Sequence, residues 1–454
     1  MYDILILGAG PGGYVAAQRA GEAGLKVALF EVRDIGGVCL NEGCIPSKTL
    51  LNSAKLYRHA LDGKAFGVTC EGVEYNQKTV IRRKKKVVRK LVAGVKMGLD
   101  AAGVEIIPHW ATIVDHDGEG FAVEANGERY VGRHLILATG STSVCPPIPG
   151  ARQAFGTTVL TNREILDLET IPETLIVIGA GVIGLEMACY YQAVGANVIA
   201  IEMLDHIAGE TDPDIATRLQ RVYEKKGMTF HLGARVTGID GHTVTFEKDG
   251  ETHAVEGDYI LMSCGRKPVV EGFGIERLPV DVEHGAIKVN RWMETTCPGV
   301  YAIGDVIGNP MLAHAASREG EVAVNNILGN IDAMSYDAIP AVIYTDPEVA
   351  SVGKTKAQLE ADDIPYIDVE LPMGYSGRYQ AEVERGTGMC RVLFDEDTKQ
   401  MLGCHLLTPY ASEMILAFGI MIEQEMTLAE MRETVFPHPT VCEIVREALF
   451  KLDA

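Results

Sequence analysis

The sequence predicts an α/β chain: two βαβ domains, followed by a third domain of α+β character. Two observations carry this expectation. A glycine-rich turn between apolar runs occurs twice, with Gly179 following Gly8 by 171 residues and Glu202 following Glu31 by the same 171. The last third then changes character, with strand-like runs alternating with amphipathic helices and no third turn of this kind.

Residues 3–31 read as the first βαβ unit. Asp3-Ile4-Leu5-Ile6-Leu7 is a strand-like run that leads into Gly8-Ala9-Gly10-Pro11-Gly12-Gly13 and an Ala-rich helical segment. A second apolar run, Lys26-Val27-Ala28-Leu29-Phe30, ends on Glu31. In such a unit Gly8 makes the tight turn, Gly10 lets the backbone approach a pyrophosphate, and Gly13 packs helix on strand. Glu31 is placed to accept a ribose hydroxyl.

Next comes Gly36-Gly37-Val38-Cys39-Leu40-Asn41-Glu42-Gly43-Cys44-Ile45-Pro46-Ser47-Lys48. On an undistorted helix an offset of five is about 140° of rotation, too far round for easy bridging. Pro46 belongs in the first turn of a helix, so the backbone near Cys44 is expected to be irregular, which can bring the sulfurs together. A helix start there also lowers the pKa of a cysteine. Spacing alone leaves open a redox dithiol, a structural disulfide and two unrelated buried thiols.

Leu50, Ala54, Tyr57 and Leu61 mark a helix. Arg82-Arg83-Lys84-Lys85-Lys86-Val87-Val88-Arg89-Lys90 reads as a solvated helix face, or else as a dock for an acidic partner. Short β segments are expected over 104–134. His134–Gly140 is a buried strand ending in a small-residue turn at Thr139 and Gly140, and Pro146, Pro147 and Pro149 mark a linker.

The second unit runs from Leu175-Ile176-Val177-Ile178 through Gly179-Ala180-Gly181-Val182-Ile183-Gly184 to Val198-Ile199-Ala200-Ile201 and Glu202. A carboxylate there suits a free ribose 2′-hydroxyl and repels a 2′-phosphate, and Met203-Leu204-Asp205 supplies no arginine, so NAD is favoured over NADP. Alternating β segments over 228–264 close this domain near Ser263-Cys264-Gly265-Arg266. Val300–Asp305 is a strand ending in Gly-Asp. Asp305 either binds a sugar-like chain or caps the following helix, rich in Ala313, Ala315 and Ala316. Strands over 389–394 and 402–407 and helices over 412–425, 428–434 and 441–449 make up the last domain. In Phe436-Pro437-His438-Pro439-Thr440-Val441-Cys442-Glu443, a rigidly held His438 with Glu443 as orienter fits acid–base catalysis, and an ordinary loop histidine is the plainer reading.

Composition narrows the function classes. At 454 residues the chain has room for two to four domains. A net charge of −21 argues against nucleic acid or an anionic membrane as partner. No apolar run reaches the roughly 18 residues of a membrane span. A strand-like run so close to Met1 leaves no room for a leader in the chain as given. The ten cysteines mostly stand singly, as in Cys189, Cys264 and Cys390, which fits a reducing cytoplasm. No Cys/His cluster has zinc spacing, so no metal is expected.

Two dinucleotide sites and a dithiol suggest an electron relay. NAD exchanges hydride, a dithiol exchanges electrons by thiol attack, and a flavin mediates between them. This gives the first site a reason to hold FAD, Lys48 a task as a fixed charge near reduced flavin, and Glu186 one as its partner.

The stretch 36–48 resembles the active-site signature of the FAD-dependent pyridine nucleotide–disulfide oxidoreductases. Its Cys-Ile-Pro-Ser-Lys ending is most similar to the dihydrolipoyl dehydrogenase branch; glutathione reductases usually read Cys-Val-Pro-Lys-Lys. Further matches are 179–186, 297–305, 311–316, 344–353 and the His-Pro-Thr…Glu segment, in family order and over nearly the whole chain. The resemblance implies an FAD-binding domain over 1–141 and 265–335, an NAD-binding domain over 142–264, both Rossmann-like, and a dimerisation domain over 336–454. Cys39 would meet lipoamide and Cys44 would face the flavin. FAD would be held by Gly8, Gly10, Gly13, Glu31, Gly37, Lys48, Thr139, Gly140, Asp305, Leu312 and Ala313. NAD would be held by Gly179, Gly181, Val182, Gly184, Glu186, Glu202 and Gly265.

By the same resemblance, His438 and Glu443 would serve the disulfide of the other subunit of a homodimer. The reaction implied is oxidation of dihydrolipoamide by NAD⁺, with a lipoyl-bearing carrier or E2 subunit of a 2-oxo-acid dehydrogenase complex, or the glycine cleavage system, as partner. A related reductase acting on another disulfide and a non-catalytic flavin- and NAD-binding subunit are the alternatives. Glu202 speaks against NADPH-linked reductases, the lack of a cysteine pair after Cys442 against mercuric reduction, and the intact Cys39, Cys44, His438 and Glu443 set against a non-catalytic subunit. Where the family commonly reads His-Pro-His-Pro-Thr-x-Ser-Glu, this chain has Phe436 and Cys442, both expected to pack. Glu42 adds a charge beside the dithiol that solvent could screen.

Overall fold

The computed structural model describes residues 1–116, 120–308 and 310–452. Of the β-rich stretch expected over 104–134, residues 117–119 lie outside the described residues, as do 453–454 of the C-terminal region. The chain divides into two compact units.

The first unit comprises residues 1–49, 81–144 and 265–335. Its apolar runs pair in parallel, as residues buried on both sheet faces do. Strand β1 (Tyr2–Leu7) lies between β2 (Val27–Phe30) and Glu128–Leu137. Glu105–Ile107 extends the sheet beyond β2, Phe121–Ala125 and Ala111–His116 extend it on the far side, and Val300–Ala302 pairs with Glu128–Leu137 to make seven strands. Helix α1 (Pro11–Glu22) begins with Pro11 in its first turn and buries Ala16, Ala17 and Ala20. It meets the helix Ala313–Ile327 closely: a Cβ on Gly320 would come within 2.8 Å of the Gly12 carbonyl oxygen. Two helices, the short α2 (Gly37–Glu42) and the 19-residue α3 (Cys44–Asp62), carry the cysteine stretch.

The basic run lies on the helix Gln77–Ala101. Arg82, Arg83, Lys85, Lys86, Arg89 and Lys90 are exposed, but Lys84 is only 3% exposed, so the run is not uniformly a solvated face. At 3.6 residues per turn Lys84 points away from the stripe its neighbours form and toward the buried side with Ile81.

The second unit comprises residues 50–80, 145–264 and 336–454, apart from the last two. The second βαβ unit is Thr174–Ile178, Val182–Ala193 and Asn197–Ile201. Its parallel sheet has the order Thr229–His231, Asn197–Ile201, Thr174–Ile178, Tyr259–Met262, Val159–Leu160. Arg235–Asp240, Thr243–Lys248 and Glu251–Glu256 form an antiparallel meander. The C-terminal portion is a five-stranded antiparallel sheet, ordered Ala341–Ile343, Val349–Gly353, Met401–Leu407, Met389–Asp395, Tyr366–Pro372. Helices Ala411–Glu423, Leu428–Glu433 and Glu443–Lys451 lie where amphipathic helices are expected.

A buried cation lies inside this unit. Arg391, on the strand Met389–Asp395, is 4% exposed and donates to Asp212 at 2.7 Å, Asp214 at 2.7 Å, Asp368 at 3.1 Å and Glu370 at 2.9 Å. Asp212 also caps the helix Pro213–Lys225, accepting from the amides of Asp214 and Ile215. Burial alone would lower the pKa of Arg391, but Asp212 and Asp214 outweigh it and raise it.

Candidate active site

The two glycine turns have the same construction. Gly8 and Gly179 sit at φ of 105° and 96°, the left-handed region that glycine enters without steric cost. A Cβ on Gly8 would lie 2.1 Å from the Ala138 carbonyl oxygen, and one on Gly179 2.5 Å from that of Ser263. A Cβ on Gly13 would lie 1.9 Å from the Gly8 oxygen, and one on Gly184 2.1 Å from the Gly179 oxygen. The middle glycines differ: around Gly10 and Gly181 there is nothing within 4 Å of an added Cβ. Each turn is therefore closed where strand meets helix and open beside the helix N-terminus, the side from which a turn of this kind can receive a pyrophosphate. Val182 is the first residue of its helix.

An acid ties each turn to the end of the second strand. Glu31 accepts from the Ala9 amide at 3.0 Å and from that of Arg33 at 2.8 Å. Glu202 accepts from the Ala180 amide at 2.6 Å and from that of Leu204 at 2.9 Å. Both carboxylates thus stand at the edge of their open turns. Gly265 lies at φ 103°, beyond the strand Tyr259–Met262.

The cysteine stretch begins against the first turn. The Gly36 amide donates to the Ala9 oxygen at 2.8 Å, and a Cβ on Gly37 would come within 2.7 Å of the Gly10 Cα. Asn41 Nδ2 donates to the carbonyls of Ile35 and Gly37, fixing the loop that feeds α2. The helix then breaks at Gly43, with φ −146° and ψ −108°, and restarts at Cys44. This is the irregularity that Pro46 predicts. The break places Cys39 and Cys44 with Cα atoms 4.8 Å apart, and they form a disulfide. Cys44 opens α3, where backbone N–H groups favour a thiolate. Lys48 follows one turn later, partly buried. Glu42 is salt-bridged to Arg33, so its charge beside the disulfide has a counter-ion in addition to solvent.

Thr139 and Gly140 close the strand Glu128–Leu137, with Thr139 Oγ1 donating to the Val269 carbonyl at 2.7 Å and Gly140 at φ 73°. Asp305 does not cap the Ala-rich helix. Leu312 is the N-cap, without a side-chain bond, and Ala313 is the first helical residue. The Asp305 carboxylate instead accepts from Ser141 Oγ, which also receives Arg266 Nε at 2.7 Å. The sequence reading missed Ser141, Arg266 and Arg33. Arg266 stood in view beside Gly265, but nothing in its spacing ties it to a residue 125 positions earlier.

In the second unit, Glu186 is 4% exposed and accepts from the Tyr344 amide at 3.1 Å. His438 Nδ1 lies 2.8 Å from Glu443 Oε1, and Glu443 Oε2 accepts from the Thr440 amide at 2.8 Å. The Thr440 amide first, and His438 after it, hold the Glu443 carboxyl below its usual range against the opposing effect of burial. The His438 side chain is 79% exposed and faces out of the chain. Cys442 packs against the C-terminal core, where burial pushes its thiol up to about 11.

The glycine cradles, the terminal acids and the Asp305 carboxylate near Arg266 fit two dinucleotides. Among the described residues no helix is long and apolar enough to cross a membrane.

Residues 2–320 match the family model described as pyridine nucleotide-disulphide oxidoreductase, and residues 339–449 match that family's dimerisation domain. The dihydrolipoyl dehydrogenase of Bacillus subtilis is 36% identical, covering 100% of this chain and 98% of the relative. The leghemoglobin reductase of Glycine max is also 36% identical, covering 98% of this chain and 86% of the relative. Among solved structures, LpdA from Mycobacterium tuberculosis superposes with a TM-score of 0.92 at 27% identity, covering both chains completely. The HOCl-induced flavoprotein disulfide reductase RclA from Escherichia coli does so with 0.86 at 25%, covering 99% of each.

Proposed function

The chain belongs to the pyridine nucleotide-disulphide oxidoreductase family, and from that membership we propose that it oxidises carrier-bound dihydrolipoamide with NAD⁺ through its Cys39–Cys44 disulfide. FAD and NAD(H) are its cofactors; FAD, when bound, relays the electron pair that NAD⁺ accepts as hydride. The observation that carries the proposal is the disulfide seated across the Gly43 break and held against the first nucleotide cradle.

A thiolate of the substrate attacks Cys39 Sγ, the bond to Cys44 breaks, and Cys44 leaves as a thiolate favoured by its place at the helix start. The second substrate thiol then attacks the mixed disulfide, closing the cyclic disulfide of lipoamide and releasing Cys39. His438, oriented by Glu443, takes the proton from the attacking thiol. Both act on the disulfide of a partner chain in a homodimer, which the exposure of His438 supports. Gly8, Gly10, Gly13, Glu31, Gly37, Lys48, Thr139, Gly140, Asp305, Leu312 and Ala313 hold FAD. Gly179, Gly181, Val182, Gly184, Glu186, Glu202 and Gly265 hold NAD. The corresponding domains are 1–141 with 265–335 for FAD, 142–264 for NAD and 336–454 for dimerisation. A lipoyl-bearing carrier or E2 subunit in the cytoplasm is the proposed partner.

The test is NADH formation from dihydrolipoamide by the FAD-loaded dimer, run beside reduction of glutathione disulfide with NADPH. Turnover in the first assay and little in the second is expected. No turnover of dihydrolipoamide ends the proposal.

A further inference from the structure

Two cysteines that take no part in this chemistry stand at the ends of one segment. Cys145 and Cys264 are the first and last residues of 145–264, the central stretch of the second unit. The chain runs into and out of that stretch as an antiparallel pair. Ser141–Ser143 and Arg266–Pro268 are in register, with Ser143 opposite Arg266. The Val144 amide then donates to the Gly265 carbonyl at 2.9 Å. Cys145 and Cys264 are the residues that follow and precede that hydrogen-bonded pair, at the point where Gly265 turns with φ 103°.

The side chains are available. Cys145 is exposed and Cys264 partly buried, and neither is in a disulfide. Their sulfur contacts are weak: Cys145 Sγ is 3.7 Å from the Pro146 oxygen, and Cys264 Sγ is 3.6 Å from the Ile178 oxygen and 3.5 Å from Met262 Sδ. Burial first, and then the charges of Glu202 and Cys145, push the Cys264 thiol up to about 11, which also places the two thiols within electrostatic reach of each other.

We propose that Cys145 and Cys264 are a second dithiol of this protein, closed reversibly to a disulfide by small disulfides. The exposed Cys145 thiolate attacks a small disulfide RSSR, forming a mixed disulfide and releasing one RS⁻, which takes up the proton Cys145 gave. The Cys264 thiolate then attacks Cys145 Sγ and expels the second thiol. The two cysteines lose two electrons and two protons, and RSSR gains both. The bond ties together the ends of a 120-residue segment, a long loop whose closure restricts the unfolded chain. Because Cys264 is the slow partner, closure accelerates as the pH rises.

The experiment uses the full-length FAD-loaded protein carrying Cys70→Ser, which removes the other fully exposed thiol. It is incubated with oxidised glutathione at pH 7 and pH 9, and its peptides are mapped without reduction. A peptide joining Cys145 to Cys264 is expected, formed faster at pH 9, with two fewer titratable thiols and none of this in Cys145→Ser or Cys264→Ser. Glutathione retained on Cys145 with Cys264 still alkylated at its original rate overturns the proposal. So does a cross-link that forms only in denaturant.

Discussion

His438 Nδ1 lies 2.8 Å from Glu443 Oε1, yet the imidazole is 79% exposed while the carboxylate is 21% exposed. The orienter is embedded in its own chain and the oriented group points away from it. His438→Gln is expected to lower dihydrolipoamide turnover by about 10²–10⁴-fold, the contribution of a positioned base, while sparing NADH oxidation by artificial acceptors. Equal loss in both assays makes His438 structural.

Glu443 sets a limit on pH dependence. Its carboxyl is held below the ordinary value, so its contribution is complete above about pH 4.3 and is lost as the pH falls through the lowered folded value. Glu443→Gln is therefore expected to lower turnover at every pH above about 5, where the wild-type carboxylate is charged. Turnover unchanged by the substitution in that range contradicts this.

The cysteines separate by spectroscopy. Cys39→Ser abolishes lipoamide turnover but leaves Cys44 able to form a long-wavelength charge-transfer band with oxidised FAD. Absence of the band reverses the assignment of the two thiols.

The two kinds of glycine give opposite outcomes. Gly184→Ala drives a methyl to 2.1 Å from the Gly179 oxygen and is expected to destabilise by about 1–3 kcal/mol. Gly181→Ala meets nothing within 4 Å and leaves the thermal transition in place. Its methyl obstructs the approach of the pyrophosphate. A clash of about 1–3 kcal/mol weakens NADH binding by about tenfold to a hundredfold. Unchanged NADH affinity in Gly181→Ala removes the pyrophosphate from this turn.

Arg391 tests packing rather than chemistry. Arg391→Gln leaves the fully buried Asp212 without its cation, at a cost of about 3–5 kcal/mol. Chemical denaturation reads this directly. Cys442→Ser, by contrast, changes lipoamide turnover by no more than a few-fold, because its partly buried thiol stays protonated at neutral pH; a collapse of turnover shows that it takes part.

What was legible in the sequence was local or repeated. The turns at Gly8 and Gly179 announce themselves because a βαβ crossover needs glycine at fixed offsets, and the Gly43 irregularity follows from Pro46. The strand Tyr366–Pro372 was legible but missed, since Ile367, Val369 and Leu371 alternate with Asp368 and Glu370. Contacts across the chain left no signal. Asp212 and Arg391 are 179 residues apart, and no periodicity joins them. The two readings of Asp305 could be separated only by finding Ser141 against its carboxylate.

The break at Gly43 bears on how the disulfide opens. Cys39 and Cys44 ride on separate helices, so their sulfurs need not be parted by melting a helical turn. Parting them asks nothing of the hydrogen bonds within α2 or within α3, so the reduced and oxidised forms can share the same two helices.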